Sequence, residues 1–337
     1  MEKGIKAIQY GCGPIGCRII RRCLEHSSFN LVGAVDIDPA KVGKDISEIA
    51  GLEGSTGIVV VDDFSALASR ENPILAFHTT GSALPDVCGQ IEQLAAAGVN
   101  VVSTCEELSY PYRKYPDISS RLDKSAKNSG VTVMATGINP GFLMDAWPVF
   151  MSGVCKTIRS IKVTRIQNAA TRRLPFQRKI GAGLSPEAFA AKVEGGQFGH
   201  VGLPESIWMI SDSLNLGVEE IHGEISPVIL NHQVISSEIT VPEGKAAGLK
   251  QTADGLRDGK PVISMDFQAY LGAPESYDAV QVDGEPGISA KIDGGVHGDV
   301  GTVSMLINSA PRVIAAPPGL ITMRDIPMVF CGSSSDS

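Results

Sequence analysis

No apolar run in the 337 residues reaches the roughly 18 needed to cross a bilayer, so the sequence predicts no membrane partner. Its first residues, Met1-Glu2-Lys3-Gly4-Ile5-Lys6, enter a short apolar strand and lack the long apolar core of a secretion signal. Seven scattered cysteines (Cys12, Cys17, Cys23, Cys88, Cys105, Cys155, Cys331) contain no Cys-x-x-Cys pair. Six histidines (His26, His78, His200, His222, His232, His297) contain no His-x-x-x-His pair, so a zinc dehydrogenase has no motif here and no metal is expected. An odd cysteine count in a chain this long reads as reduced thiols and a cytoplasmic location. There is no Lys/Arg-rich run, and 29 basic against 37 acidic residues give a net charge of −8, which disfavours a nucleic-acid partner. Internal repeats and low-complexity linkers are absent too. At 43% hydrophobic and 20% charged residues the chain is not a disordered one. Its length points to two domains. What the sequence does have is 37 glycines and 20 prolines, and their placement organises the reading.

In the first part strands alternate with helices. Ile5–Tyr10 reads as a strand, and Ile19, Ile20, Cys23 and Leu24 then recur at helical spacing. Leu31–Val35, Ile58–Val61, Ile74–Phe77, Val99–Ser103 and Val131–Ala135 are further apolar runs, with Leu84–Ala97 and Asp117–Lys127 as amphipathic helices. This grammar predicts βαβ units and an α/β, Rossmann-type doubly wound parallel sheet over residues 1–140. Beyond Phe142 the pattern changes. Segments 158–167, 224–240, 261–271 and 278–282 have strand character, and helices start at Ser185-Pro186-Glu187 and near Glu205. That predicts an α+β substrate-binding and dimerisation domain over 141–300 with a mainly antiparallel sheet. Residues 301–330 supply a late helix and a segment returning to the first domain, before a Ser-rich tail at 332–337 that should fray.

Gly11-Cys12-Gly13-Pro14-Ile15-Gly16 fits G-x-G-x-x-G directly between a strand and a helix, which is the context a dinucleotide site requires. Gly11 would allow the tight turn, Gly13 the close approach of a pyrophosphate, and Gly16 the packing of helix on strand. The helix-start amides around Pro14 and Ile15 would face the phosphates. Asp36 ends the next strand 36 − 16 = 20 residues after Gly16, where a carboxylate receives the adenine-ribose hydroxyls. The competing reading is a plain glycine turn before an acidic strand end. Asp36 would repel a 2′-phosphate and favours NAD, while Lys41 and Lys44 nearby keep NADP open.

Three further loops follow predicted strands, where ligands of such sheets bind. In His78-Thr79-Thr80-Gly81 the hydroxyls of Thr79 and Thr80 are candidates to line the nicotinamide ribose, or simply helix caps. In Ser103-Thr104-Cys105-Glu106-Glu107 two adjacent carboxylates repel each other, so one is a candidate general base. The alternative is a solvated acidic turn. Thr136-Gly137-Ile138-Asn139-Pro140-Gly141-Phe142 marks the domain junction, with Asn139 a candidate for the carboxamide or the substrate and Phe142 for packing on the substrate; it is otherwise an interdomain turn. In the second domain Arg165 and Gln167 share one strand face by the period of two, and with Asn168 and His200 they are candidate substrate contacts or structural residues.

Val102-Ser103-Thr104-Cys105-Glu106-Glu107-Leu108-Ser109-Tyr110-Pro111 with Gly137-Ile138-Asn139-Pro140-Gly141 resembles the 2,4-diaminopentanoate dehydrogenase family. So do Gly199-His200-Val201-Gly202, Glu205-Ser206 and Pro318-Gly319-Leu320-Ile321-Thr322-Met323, in the same order over nearly the whole chain. The resemblance implies the fold of dihydrodipicolinate reductases and an NAD(P)-dependent amine dehydrogenase. Such an enzyme oxidatively deaminates a primary amine or, in reverse, aminates a ketone with ammonia. It also implies a homodimer and a base at the strand-end motif, assigned to Glu107, with Glu106 structural or beside the cofactor; Cys105 in the same loop is a candidate cofactor contact. A reductase of cyclic imines and a dinucleotide sensor without turnover are the alternatives. The first lacks an apparent Lys-rich substrate motif, and the second does not need a Glu-Glu pair.

Overall fold

The computed structural model describes residues 4–25, 28–196 and 198–332. His26 and residues 333–337 of the Ser-rich tail lie outside the described residues. The chain divides into two compact units, one of residues up to Phe142 together with those from Gly298 onward, the other of Leu143–His297.

In the first unit the chain runs β1 (Ile5–Tyr10), α1 (Pro14–Glu25), β2 (Phe29–Val35), α2 (Ile46–Ala50), β3 (Val60–Val61) and α3 (Ser65–Glu71). It continues through β4 (Leu75–His78), α4 (Leu84–Ala96), β5 (Asn100–Ser103), α5 (Pro116–Ser129) and β6 (Thr132–Ala135). All four residues of β4 and of β6 are buried, as expected of strands covered on both faces. α1 buries Gly16, Ile19, Ile20 and Cys23 on one face. Leu24, which the spacing puts on that face, is 39% exposed; in a helix it lies about 100° beyond Cys23 and turns off the stripe.

The second unit contains α6 (Ala146–Met151), β7 (Thr157–Asn168), α7 (Leu174–Lys179), α8 (Pro186–Glu194), α9 (Leu203–Leu214) and β8 (Glu220–Ile229). After them come β9 (Val234–Ile235), β10 (Thr240–Val241), β11 (Ala246–Arg257), β12 (Lys260–Tyr270), β13 (Tyr277–Glu285) and β14 (Ile288–Asp293). α10 (Gly298–Ala315) and β15 (Gly319–Ile321) belong to the first unit.

The first unit's sheet has the order β15-β6-β5-β4-β1-β2-β3, and all its pairings are parallel. The strand order reverses between β1 and β4, the point at whose carboxyl edge a doubly wound sheet takes its ligand. The second unit has a six-stranded mixed sheet, β14-β13-β7-β12-β11-β8, in which only β12 and β7 run parallel. Ser185 caps α8 through the Ala188 amide, as its sequence suggests.

Two differences from the sequence reading have physical causes. The strand-like stretch 224–240 is broken into β8 and the two-residue pair β9–β10, and the 12-residue β11 carried no strand pattern. β11 holds Gly248 and Gly255, and side chains there would collide with the Ala269 carbonyl and with Ile207 and Val218. Close approach of neighbours, not β propensity, selects its residues.

Candidate functional site

Four loops leave the carboxyl ends of β1, β4, β5 and β6, and these strands are neighbours in the sheet. Tyr10 of β1 pairs with His78 of β4, His78 with Ser103 of β5, and Ser103 with Ala135 of β6. The glycine loop, the Thr79-Thr80 loop, the Glu106-Glu107 turn and the Asn139 turn are thereby brought to one edge.

The glycine loop is built against the Thr79 loop. Gly11 has φ 89°, and a Cβ there would stand 2.7 Å from the Thr79 carbonyl oxygen. A Cβ on Gly16 would collide with the Gly11 carbonyl and approach the Gln9 amide to 2.9 Å. Beneath the turn the buried Gln9 side chain donates to the Gly11 carbonyl (2.8 Å) and to the Thr79 hydroxyl (2.9 Å), which itself donates to the Gly11 carbonyl at 2.7 Å. Sequence reasoning missed Gln9, although a polar residue inside an apolar strand directly before the loop was the available signal. Gly13 differs from its neighbours: nothing lies within 4 Å of the position a Cβ would take. Pro14 is exposed and Ile15 half-buried in the first turn of α1. The loop thus presents a helix start with open space above Gly13, a cradle for an anionic group.

Asp36 ends up beside that loop. Its carboxylate accepts from the Cys12 amide (2.7 Å), the Asp38 amide (2.9 Å) and the Lys41 ammonium (3.1 Å). Burial on its own raises the pKa, but those three donors outweigh it and hold the carboxyl below its ordinary value. Lys41 also lies 3.3 Å from Asp38, and Lys44 pairs with Glu48 at 2.7 Å, so both lysines already have carboxylate partners.

The β4 loop is locked by His78. The ring is fully buried, with Nδ1 2.9 Å from the Ser103 hydroxyl and Nε2 2.8 Å from Gln90 Oε1 and 3.0 Å from the Thr80 hydroxyl. Thr80 in turn donates to Gln90 at 2.7 Å. Both threonine hydroxyls, expected at a ribose, therefore also serve to stitch loops together. Burial pulls the His78 pKa down from 6.5 to about 4, with the Gln90 bond opposing. Below pH 6.5 the unfolded chain takes up a proton that the folded chain refuses, so this contribution is complete above pH 6.5 and is lost as pH falls towards 4. Over that window His78 should cost about 3 kcal/mol of stability. Urea unfolding at pH 7 and pH 5 checks this, because His78→Gln should flatten the difference whatever it does to stability at pH 7.

Beyond β5, Glu106–Ser109 forms one 3₁₀ turn. Glu107 is 6% exposed, whereas Glu106 is only half-buried. Glu107 Oε2 accepts from the Leu84 amide at 2.8 Å, at the start of α4, and Oε1 accepts from Lys114 at 2.5 Å. Cys105 lies underneath at 1% exposure, and its Sγ is 3.2 Å from the Ser82 carbonyl; burial pushes this thiol up to about 12, so it stays protonated. Lys114 and Leu84 were missed because nothing local connects them to Glu107. Asn139 and Phe142 are half-buried in the turn after β6, where the Thr136 hydroxyl reaches the Gly141 carbonyl at 3.4 Å.

In the second unit, Arg165 and Gln167 share a face of β7 as the period predicts, and both donate to the Val296 carbonyl (2.8 and 3.2 Å). Arg165 is also ion-paired with Asp278 at 2.5 Å, each side chain no more than 3% exposed. Burial lowers its pKa and Asp278 opposes that. Asn168 is spent on the Ala170 amide (3.0 Å) and the Ala273 carbonyl (3.0 Å). The His200 backbone is clasped at both N–H and C=O by Gln251, and its ring lies 4.9 Å from that of Phe267. Asp278, unmarked in the sequence, is the residue that fixes Arg165. Among the described residues no group of three His, Cys, Asp or Glu could hold a metal ion, and no helix is long and apolar enough to cross a membrane.

Residues 142–335 match the family model of the 2,4-diaminopentanoate dehydrogenase C-terminal domain. The chain belongs to this family. A 2,4-diaminopentanoate dehydrogenase of Acetoanaerobium sticklandii is 29% identical over 335 residues, covering 97% of this chain and 94% of that one. An amine dehydrogenase of Streptomyces virginiae is 22% identical, with 96% of each chain covered. Among solved structures, an amine dehydrogenase from Mycobacterium smegmatis superposes with a TM-score of 0.85 at 24% identity over 98% of both chains, a likeness of fold. The family shown by the match is the one that the strand-end and Asn-Pro-Gly motifs resemble, and the fold is the expected doubly wound sheet with an α+β unit.

Proposed function

We propose that the protein is an NAD(P)-dependent amine dehydrogenase that interconverts a primary amine with a ketone and ammonia. The observation that carries this reading is the placement, at one edge of the sheet and with only β4 between their strands, of an open glycine cradle and a turn bearing two carboxylates, in a chain of the diaminopentanoate dehydrogenase family. The open space at Gly13 and the helix-start amides fit a pyrophosphate, and Asp36 fits an adenine ribose. The bound nicotinamide would accept the hydride of the amine carbon, or return it.

The proton work is assigned to Glu106. Glu107 is 6% exposed, whereas the side chain of Glu106 is half-buried and the more accessible of the two to a ligand. This moves the base one residue from the position the sequence favours. In amination Glu106 removes a proton from ammonium, gives it to the carbinolamine hydroxyl so that this leaves as water, and as the carboxylate so restored steadies the iminium cation. The balance is ketone, ammonia, NADH and a proton giving amine, NAD⁺ and water. Asn139 and the half-buried Phe142 remain the proposed contacts of the first unit. Seven free cysteines support a reducing, cytoplasmic setting. A homodimer is part of the proposal, and light scattering in solution tests it.

Incubating the protein with NAD⁺ and a panel of diamino acids and simple primary amines tests the activity. NADH formation matched by released ammonia is expected from at least one amine, and its absence across the panel would sink the reading. Gly13→Ala tests the cradle. The protein has room for the methyl, so its melting temperature should hold, while NADH affinity measured by fluorescence titration should fall about tenfold, or about 1.4 kcal/mol. Unchanged affinity would remove Gly13 from the cofactor site.

A further inference from the structure

We infer that Gln9 is a positioning residue of the cofactor site, holding Asp36 against the adenine ribose through the single peptide that joins Gly11 to Cys12. The inference rests on the reading of the glycine loop and Asp36 as the dinucleotide site. It does not depend on which carboxylate of the Glu106-Glu107 turn reacts.

Gln9 is an unexpected residue for its place. It is fully buried in β1, as are its neighbours Ala7 and Ile8. Its amide nitrogen makes two short bonds, to the Gly11 carbonyl at 2.8 Å and to the Thr79 hydroxyl at 2.9 Å. Among the described residues its Oε1 accepts from no donor. A buried acceptor without a donor costs stability, so an apolar side chain of the same length would suit the core at least as well. What Gln9 supplies, and such a side chain could not, is a donor beneath the Gly11 carbonyl.

That carbonyl is the near end of a relay. The Thr79 hydroxyl reaches the same oxygen at 2.7 Å, so two donors fix it. A trans peptide is planar, and its N–H points away from its C=O. Fixing the Gly11 oxygen therefore aims the Cys12 amide, which donates to Asp36 Oδ2 at 2.7 Å. Donors on the carbonyl also polarise the peptide and strengthen the bond made by its amide. The Asp38 amide and Lys41 hold Asp36 from the loop that follows β2, whereas Cys12 ties it to the glycine loop. Gly16 leaves the space for this arrangement, since a Cβ there would come within 2.9 Å of the Gln9 nitrogen. The pyrophosphate cradle and the ribose carboxylate are thus held in one register from below.

The test is a cycle between protein and ligand. NADH, and NADH lacking the 2′-hydroxyl of its adenine ribose, are each titrated by fluorescence into the wild type, Gln9→Met and Thr79→Val. The wild type should favour NADH about tenfold, as expected of a hydroxyl bonded to a carboxylate. Gln9→Met should keep its melting temperature, because the Gly11 carbonyl retains Thr79, yet bind NADH about tenfold more weakly. Its preference for the hydroxyl should shrink to about threefold or less, the coupling that marks a shared contact. A merely structural Gln9 would weaken both ligands alike. NADH affinity equal to the wild type, or a weakened affinity with the tenfold preference intact, would overturn the inference. If Gln9→Met does not fold, Thr79→Val decides. It removes the other donor to the same carbonyl and should narrow the preference in the same direction, and an unchanged preference there would overturn the inference. No NADH binding by the wild type, or no preference for the hydroxyl, would instead overturn the placement of the cofactor, and the inference with it.

Discussion

Glu106→Gln should lose ketone- and ammonia-dependent NADH oxidation by about two to four orders of magnitude, the usual contribution of a positioned acid–base group. The substitution removes the proton acceptor and keeps the size and hydrogen-bonding reach of the side chain. Glu106 is half-buried in a turn whose fixed points are its neighbours: Cys105, at 1% exposure, and Glu107, at 6%. NADH titration and thermal melting should therefore match the wild type. A loss confined to kcat and kcat/KM places the defect in the chemical step. Equal activity in the variant and the wild type would move the base elsewhere in the turn.

The second large effect is one of stability. Arg165→Ala leaves the Asp278 carboxylate, 2% exposed, without its guanidinium, and should cost about 3–5 kcal/mol. Among the described residues Asp278 would keep the Val296 amide at 2.8 Å. The double variant Arg165→Met with Asp278→Leu removes both charges and should regain most of that loss, because a buried pair is expensive to break and much less so to replace. Urea denaturation measures both. The same double variant decides what Arg165 does for function. If it only braces β7 and β13, the amine KM in the stable double variant stays near that of the wild type. A KM raised tenfold or more in a protein that melts normally would make Arg165 a substrate contact, one of the two readings that the sequence leaves open.

How much could be read from the sequence follows the distance over which each contact acts. The strand, glycine loop, helix and Asp36 were legible because their spacing is set within one βαβ unit. The candidate turn at Glu106 was legible for the same reason: two like charges at a strand end are a local anomaly. What holds Glu107 was not, since its partners are the Leu84 amide, 23 positions away, and Lys114 on the far side of the turn. β11 was illegible because its glycines are chosen by what packs against them. The seventh strand, Gly319–Ile321, is three residues long and pairs with β6 from the other end of the chain. No local pattern announces such a pairing.

The measurement that bears most directly on the central claim is NADH oxidation by a ketone panel with and without ¹⁵N-ammonia, followed by mass analysis of the product. The account predicts NADH consumption only when ketone and ammonia are both present, yielding a primary amine that carries one ¹⁵N per NADH consumed. Oxidation that proceeds without ammonia to give an alcohol, or no oxidation with any ketone, would contradict it.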